Sequence, residues 1–335
     1  MSAALELTDV VVDYDRRGGG RVRAVAGASI AVDRGQIVGL VGESGCGKST
    51  LAKAAVGLVR PTAGSVVFEG SEVPTLGRRG RSRELARLQL VFQNPFASLN
   101  PRRKVGAQLA DALDTLGIVP PAGKDARVKE LCELVGLAAS AAERFPHEFS
   151  GGQRQRIAIA RTLAAEPSVI VLDEPLASLD ASAQAQLANL LVQLSRELGL
   201  GLFLISHDLA IVRHVADAVS VMYLGRMVET GVTESVWEQP LHPYSESLIN
   251  AIPHPDGGGF LPDALPGEVP DPGQPPSGCR FHPRCPYAFT RCGVEEPALV
   301  PLAGERSAAC WLQPEGSPAA SPAERARLMA AADVK

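Results

Sequence analysis

The chain has 335 residues, 45% of them hydrophobic, enough to bury a substantial core and to hold one large domain plus an appendage. Its net charge of −4 leaves no basic field over the whole molecule and argues against nucleic acid as a partner. Met1–Val10 has no basic start followed by an apolar run, so no signal peptide is expected, and no apolar segment reaches the roughly 18 residues that a membrane span needs.

In chain order, residues 5–13 and 26–42 read as strands rich in Val, Ile and Ala. The second block ends in Ile37-Val-Gly-Leu-Val41, a short apolar run of the kind found in buried parallel strands. A Gly-rich loop, Gly42-Glu-Ser-Gly-Cys-Gly-Lys-Ser49, follows at once, and a helix is predicted from about Lys48 to Leu58. Ser65–Phe68 and Gln89–Phe92 read as further strands. From about Val105 to Leu163 the pattern is helical, punctuated near Pro120, Gly136 and Pro146. Strands return at 168–172, 201–205 and 217–223, with a helix near 182–199. That order predicts an α/β core interrupted by a helical insertion. Residues 253–278 contain 14 Pro or Gly among 26 and read as an extended linker. A cluster of cysteines comes next, and the end from Ser317 reads as a loose tail with one short helix. The chain shows no internal repeat.

Gly42, Gly45 and Gly47 allow turns that bulkier residues resist, so the N–H groups of the loop from Gly42 through Glu43, Ser44, Cys46 and Lys48 can face one concavity and cradle phosphates. Lys48 supplies a point charge for the β- and γ-phosphates, Ser49 a hydroxyl for Mg²⁺, and Thr50 begins the helix facing the anion. The Cys46 thiol reads as incidental.

Asp173 and Glu174 close the apolar strand Val169-Ile-Val-Leu. The chemistry suits Asp173 steering Mg²⁺ through water and Glu174 polarising an attacking water as general base. His207 stands just past another apolar strand, in Phe203-Leu-Ile-Ser-His-Asp208. The adjacent Ser206-His207-Asp208 is no hydrolase triad, whose members meet from separate segments. His147, His214, His242 and His254 read as ordinary surface or core histidines.

Between the Gly-rich loop and the acid pair lies Phe149-Ser-Gly-Gly-Gln-Arg-Gln-Arg156. With this element in place, the chain resembles the ATP-binding-cassette (ABC) ATPases. The resemblance implies an α/β P-loop NTPase fold with a RecA-like core, an antiparallel β subdomain and a helical insertion. It implies ATP and Mg²⁺ as ligands, and two subunits closing around two ATP molecules. It makes His207 the switch histidine on the γ-phosphate, and lets Gln93 touch Mg²⁺ and the attacking water. Tyr14, 28 residues before Gly42, takes the place of an aromatic that stacks on adenine. Phe149, Ser150, Gly151, Gly152 and Gln153 would face the ATP of the other subunit, with Ser178 and Asp180 in the loop crossing the dimer interface. A helix N-terminus aimed at the γ-phosphate gives that arrangement its electrostatic sense.

Three further stretches resemble one branch, the ATP-binding subunits of dipeptide/oligopeptide importers: Phe92-Gln-Asn-Pro-Phe-Ala-Ser-Leu-Asn-Pro-Arg102, Phe145–Arg161, and His242-Pro-Tyr244 followed by Leu265–Pro270 and Cys279-Arg-Phe-His-Pro-Arg-Cys-Pro286. This resemblance implies a cassette over 1–252 with a helical subdomain at about 94–165, a linker at 253–278, a C-terminal extension at 279–316 and a tail at 317–335. It implies a second cassette, identical or homologous, docking through residues around Gln93–Arg103 on two membrane permeases, a substrate-binding protein outside, and a peripheral position on the cytoplasmic face of the membrane. Nickel, glycosides or peptide-like antibiotics are alternative cargoes. A soluble cassette in DNA repair or translation fits less well, because there is no room for a long coiled coil between Lys48 and Phe149. An inactive regulatory cassette is disfavoured by the presence of every hydrolytic position.

Cys279, Cys285, Cys292 and Cys310 are separated by five, six and seventeen residues. Structural zinc favours tight pairs two to four residues apart, and none is present. Four thiolates on an irregular loop suit a [4Fe–4S] cluster better, which the resemblance also implies. Zinc, free thiols and a facultative disulfide are the other readings.

Overall fold

The computed structural model describes residues 3–16, 19–77, 81–93, 99–117, 119–252 and 267–313. Strands β1 (Leu5–Asp15) and β2 (Arg21–Val32) pair antiparallel, and β3 (Ile37–Val41) follows after a tight turn. The single run expected over 26–42 is thus two strands in two sheets. Gly35, at φ 72°, turns the chain between them, and Asp33 N–H donates to Gln36 Oε1 at 3.0 Å. Helix α1 (Lys48–Ala55) stops short of the expected Leu58. Gly57, at φ 70°, ends it where a Cβ would come within 2.4 Å of the Pro74 carbonyl oxygen.

β4 (Ala63–Phe68) and the two-residue β5 (Ser71–Glu72) complete a four-stranded antiparallel sheet ordered β2-β1-β4-β5. β6 (Leu88–Val91) returns to the main sheet. The helical insertion then runs through α2 (Val105–Leu116), α3 (Lys124–Leu134) and α4 (Gly151–Leu163). β7 (Val169–Asp173), α5 (Ala181–Leu198), β8 (Gly201–Ser206), α6 (Leu209–Val215), β9 (Ala218–Tyr223) and β10 (Arg226–Val232) follow. After α7 (Thr233–Glu238) and α8 (Pro243–Asn250), the extension holds α9 (Thr290–Val294), β11 (Val300–Leu302) and β12 (Arg306–Ala308).

The main sheet has eight strands in the order β11-β12-β10-β9-β3-β8-β7-β6. β9, β3, β8, β7 and β6 run parallel, and β10, β12 and β11 are antiparallel. The uniformly apolar central strands make sense because both faces are covered. Side chains alternate between two cores: Val38, Leu40, Val169, Val171, Phe203 and Ile205 pack toward α1 and the four-stranded sheet. Ile37, Val41, Ile170, Leu172, Leu202 and Leu204 pack toward the helical side. That second core is continuous with Leu109 and Leu113 of α2 and Leu131 of α3, so the insertion is rooted in the main domain.

The extension does not stand apart from the cassette. β12 pairs with β10 (Glu229 opposite Ala308, Thr230 opposite Ser307) and β11 caps the edge, so it extends the cassette's own sheet. Residues 253–266 of the expected linker, and the tail from 314 onward, lie outside the described residues.

Candidate ATP site

Parallel strands in register end on one edge, and that edge gathers the residues singled out above. The loop after β3 turns on glycines with no alternative. Gly42 has φ 155°, and a Cβ on it would lie 2.1 Å from the Met222 carbonyl oxygen. Gly47 has φ 109°, and a Cβ there would lie 2.2 Å from the Ala24 oxygen. Gly47 is the N-cap of α1, so the N–H groups of Lys48, Ser49 and Thr50 are first-turn donors that the helix itself cannot use. Lys48 folds back, donating from Nζ to the carbonyls of Gly42 at 2.6 Å and Glu43 at 2.8 Å. Cys46 is buried beneath the loop, and burial pushes its thiol above the usual range.

Ser49 Oγ donates to Asp173 Oδ1 at 2.8 Å, joining the start of α1 to the end of β7. Burial pushes the Asp173 carboxyl up, offset in part by that hydrogen bond. The hydroxyl, the carboxylate and the nearby Gln93 amide are hard oxygen donors of the sort that suits Mg²⁺.

Next door, Glu174 adopts φ 48°, a left-handed conformation that a non-glycine residue holds only when its surroundings enforce it. Its N–H donates to the Ile205 carbonyl at 3.0 Å. Its carboxylate accepts from Gln93 Nε2 at 2.9 Å and lies 3.5 Å from His207 Nδ1. The register explains the meeting. Val91 stands opposite Leu172 and Asp173 opposite Ile205, so Gln93, Glu174 and His207 all emerge just past three adjacent strands. Residues 94–98 of the expected permease-docking stretch lie outside the described residues. Tyr14 stands near the end of β1, opposite Val22 and 40% exposed, open to a planar ligand.

Ser150 is the N-cap of α4: its Oγ accepts from Gln153 N–H at 3.3 Å, and Gln153 Oε1 accepts from Ser150 N–H at 3.1 Å. Ser150 and Gln153 are exposed, whereas Phe149 is buried under the Arg144 guanidinium. Small residues let this helix start meet the neighbouring loop, since a Cβ on Gly151 would touch Leu179 at 3.5 Å and one on Gly152 would touch Ala183 at 3.1 Å. Ser178 is exposed, while the Asp180 carboxylate caps α5 by accepting from Ala183 N–H at 2.9 Å. Sequence reasoning gave Asp180 to the interface and missed this local role.

Sequence reasoning also missed four residues of the extension's attachment. Arg284 forms a two-pronged ion pair with the Glu43 carboxylate, at 2.7 and 3.0 Å. Tyr244 Oη accepts from Glu43 N–H at 2.8 Å. That amide is therefore directed to Tyr244, which departs from the expected phosphate cradle. Deeper in, Arg306 Nη2 donates to Glu229 Oε1 at 2.8 Å, and Leu241 and His242 donate their N–H groups to the same carboxylate at 2.9 Å. Nothing in the local sequence around Arg284 or Arg306 marks these side chains as buried. His242 keeps its structural reading: it is buried and caps α8.

The expected [4Fe–4S] cluster is corrected. Among the described residues, no group of three or more His, Cys, Asp or Glu is placed to hold a metal ion. Cys279, Cys285, Cys292 and Cys310 do line one small, largely apolar cavity, as free thiols. Burial pushes Cys279 up to about 11, Cys285 and Cys310 up to about 12, and Cys292 upward as well. In the metal-free chain such a setting favours protonated thiols.

The profile of the ABC transporter family matches residues 25–177, and that of the oligopeptide/dipeptide transporter C-terminal region matches residues 228–292. A probable peptide ABC transporter ATP-binding protein of Sinorhizobium fredii is 45% identical over 309 residues, covering 92% of this chain and 88% of that protein. The chain belongs to the ABC transporter ATP-binding proteins. This ABC ATPase is also 46% identical to the di/tripeptide transport ATP-binding protein DppF of Pseudomonas aeruginosa, over 88% of this chain and 91% of the relative. Among solved structures, CbiO1 of Clostridium perfringens, part of the CbiONQ transporter complex, matches with a TM-score of 0.63 and 28% identity, covering 71% of this chain and 92% of that one. A dimeric ATP-binding cassette in a post-hydrolysis state with ADP and Pi matches with a TM-score of 0.60 and 26% identity, over 68% of this chain and 98% of that one. The enzyme is an ATP-hydrolysing cassette. Among its described residues no helix is long and apolar enough to cross a membrane.

Proposed function

We propose that this ABC ATPase powers a peptide importer, pairing with a second cassette and docking on two permease chains at the cytoplasmic face of the membrane. The observation that carries the cargo is the match of residues 228–292 to the C-terminal region of oligopeptide/dipeptide transporters. The peptide-transport names of its relatives support the same reading.

The chemistry follows from the edge of the sheet. Lys48 leaves the Gly42 and Glu43 carbonyls for the β- and γ-phosphates, exchanging two neutral acceptors for charged ones. Ser49 and Asp173 would hold Mg²⁺, which neutralises charge on the phosphates when bound. Glu174 accepts the proton of the attacking water, while Gln93 and His207, both already beside its carboxylate, fix its direction; His207 meets the γ-phosphate, and Gln93 would reach the Mg²⁺ site and the water. Tyr14 stacks on adenine. The exposed Ser150 end of α4 and the Ser178–Asp180 loop complete the site of the opposite subunit, so one chain alone lacks a full site.

Purification of the native membrane complex with mass spectrometry of every chain tests the assignment. Two permeases and a peptide-binding protein are the expected companions. Ribosomal or DNA-bound partners, or a binding protein selective for nickel or sugars, would overturn it.

A further inference from the structure

Glu43 is an odd residue to find in a loop that takes a polyanion, and all three of its polar groups are held. Its carbonyl accepts from Lys48 Nζ at 2.8 Å, its N–H donates to Tyr244 Oη at 2.8 Å, and its carboxylate accepts both prongs of the Arg284 guanidinium. Arg284 comes from the extension, 241 residues away, and its side chain is 3% exposed. It cannot readily swing aside. Its guanidinium also donates to Tyr223 Oη at 3.3 Å, and its own N–H is tied to the Phe281 carbonyl at 2.9 Å. Behind it, the rings of Tyr223, Tyr244 and Phe281 pack with centroids 4.7 to 5.3 Å apart.

We propose that Arg284 is a positioning residue for the ATP reaction, acting through Glu43 to set the phosphate loop and to cancel a carboxylate that would otherwise repel the nucleotide. A like charge beside the phosphates disfavours binding in proportion to the charge that the ligand carries, and weakly screened groups feel it most. A planar fork holds both carboxylate oxygens in one direction, which an ammonium cannot do. The extension thereby becomes part of the nucleotide site's support, whatever the transporter's cargo. The inference rests on ATP binding by this loop and not on the peptide assignment.

The test is nucleotide affinity of the full-length chain, measured by calorimetry with MgATP, MgADP and AMP. Arg284→Gln is expected to weaken MgATP on the order of tenfold, MgADP less, and AMP least, with the loss shrinking at high salt. Adding Glu43→Gln to it should restore MgATP affinity to within about threefold of wild type, because the uncompensated carboxylate is gone. A merely structural Arg284 would leave the double variant as weak as the single and would weaken all three nucleotides alike. Should Arg284→Gln fail to fold, Arg284→Lys serves the same comparison, with an expected loss of a few-fold again graded by phosphate number. A folded variant with wild-type affinity for all three nucleotides, or a double variant no better than the single, overturns the proposal.

Discussion

The two ends of the eight-stranded sheet's functional apparatus are built in opposite ways. On the catalytic edge, Asp173, Glu174, Gln93 and His207 each stand within two residues of a strand terminus, Lys48 starts the helix after the glycine loop, and their contacts are exchangeable: Ser49 on Asp173 at 2.8 Å, Gln93 on Glu174 at 2.9 Å, and His207 3.5 Å from the same carboxylate and about half exposed. Where the extension joins, Glu229 is fully buried, Arg306 is 7% exposed, and the carboxylate is saturated by a guanidinium and two backbone N–H groups. Groups that must trade partners during turnover are held by a few single hydrogen bonds, near solvent at Gln93 and His207 and buried at Lys48 and Asp173. Groups that attach one piece of chain to another are desolvated, where losing one partner is expensive.

That contrast can be broken from either side. The largest effect is expected at Glu174→Gln, which keeps the shape and removes the base. Steady-state ATPase should fall by about 10²–10⁴-fold, and size-exclusion with light scattering should show an ATP-trapped dimer. Unchanged turnover would remove Glu174 from its role. On the attachment side, Arg306→Met leaves the Glu229 carboxylate buried and uncompensated, at a cost of about 3–5 kcal/mol in urea unfolding. Replacing both with apolar residues of similar size should recover most of that loss, and no recovery would show that the pair matters beyond its charge. Lys48→Ala should weaken MgATP binding by about 10–100-fold in calorimetry with little change in melting, because it removes a charged donor from a loop whose turns its glycines set. The smallest effect is reserved for Ser150→Ala. Loss of the α4 cap should cost about 1 kcal/mol of stability, while ATP-dependent dimerisation, followed by light scattering in the Glu174→Gln background, should weaken further if Ser150 also meets the opposite nucleotide.

Much of the catalytic edge was legible because its signals are local. An apolar strand, a glycine loop and a Lys-Ser pair sit side by side in the chain, and Asp173-Glu174 and His207 each directly follow a strand. Parallel register then brings Gln93, Glu174 and His207 together with no further information. The second role of Asp180, as the cap of α5, was hidden because a carboxylate before a helix reads the same whether it faces inward or across an interface. The run over 26–42 was misjudged as one strand because Asp33-Arg-Gly-Gln36 breaks it only through Gly35, a single turn residue between two apolar stretches.

The cysteines show where local reading stopped. Four cysteines on an irregular stretch, with the family resemblance, pointed to a cluster, yet whether four sulfurs become ligands depends on how α9, β12 and the turn at His282–Arg284 seat them, and among the described residues no such group is placed to hold a metal ion.

By itself the sequence determined the nucleotide-binding core, the family and the identities of the groups that can carry phosphoryl transfer, because glycine conformations, strand patterning and short motifs act over a few residues. Only the tertiary structure decided that the extension finishes the main sheet, that Arg306 meets Glu229, and that Arg284 reaches across 241 residues to the phosphate loop. Those pairings depend on desolvation and on which sheet edge the returning chain finds, and neither is written in any local pattern.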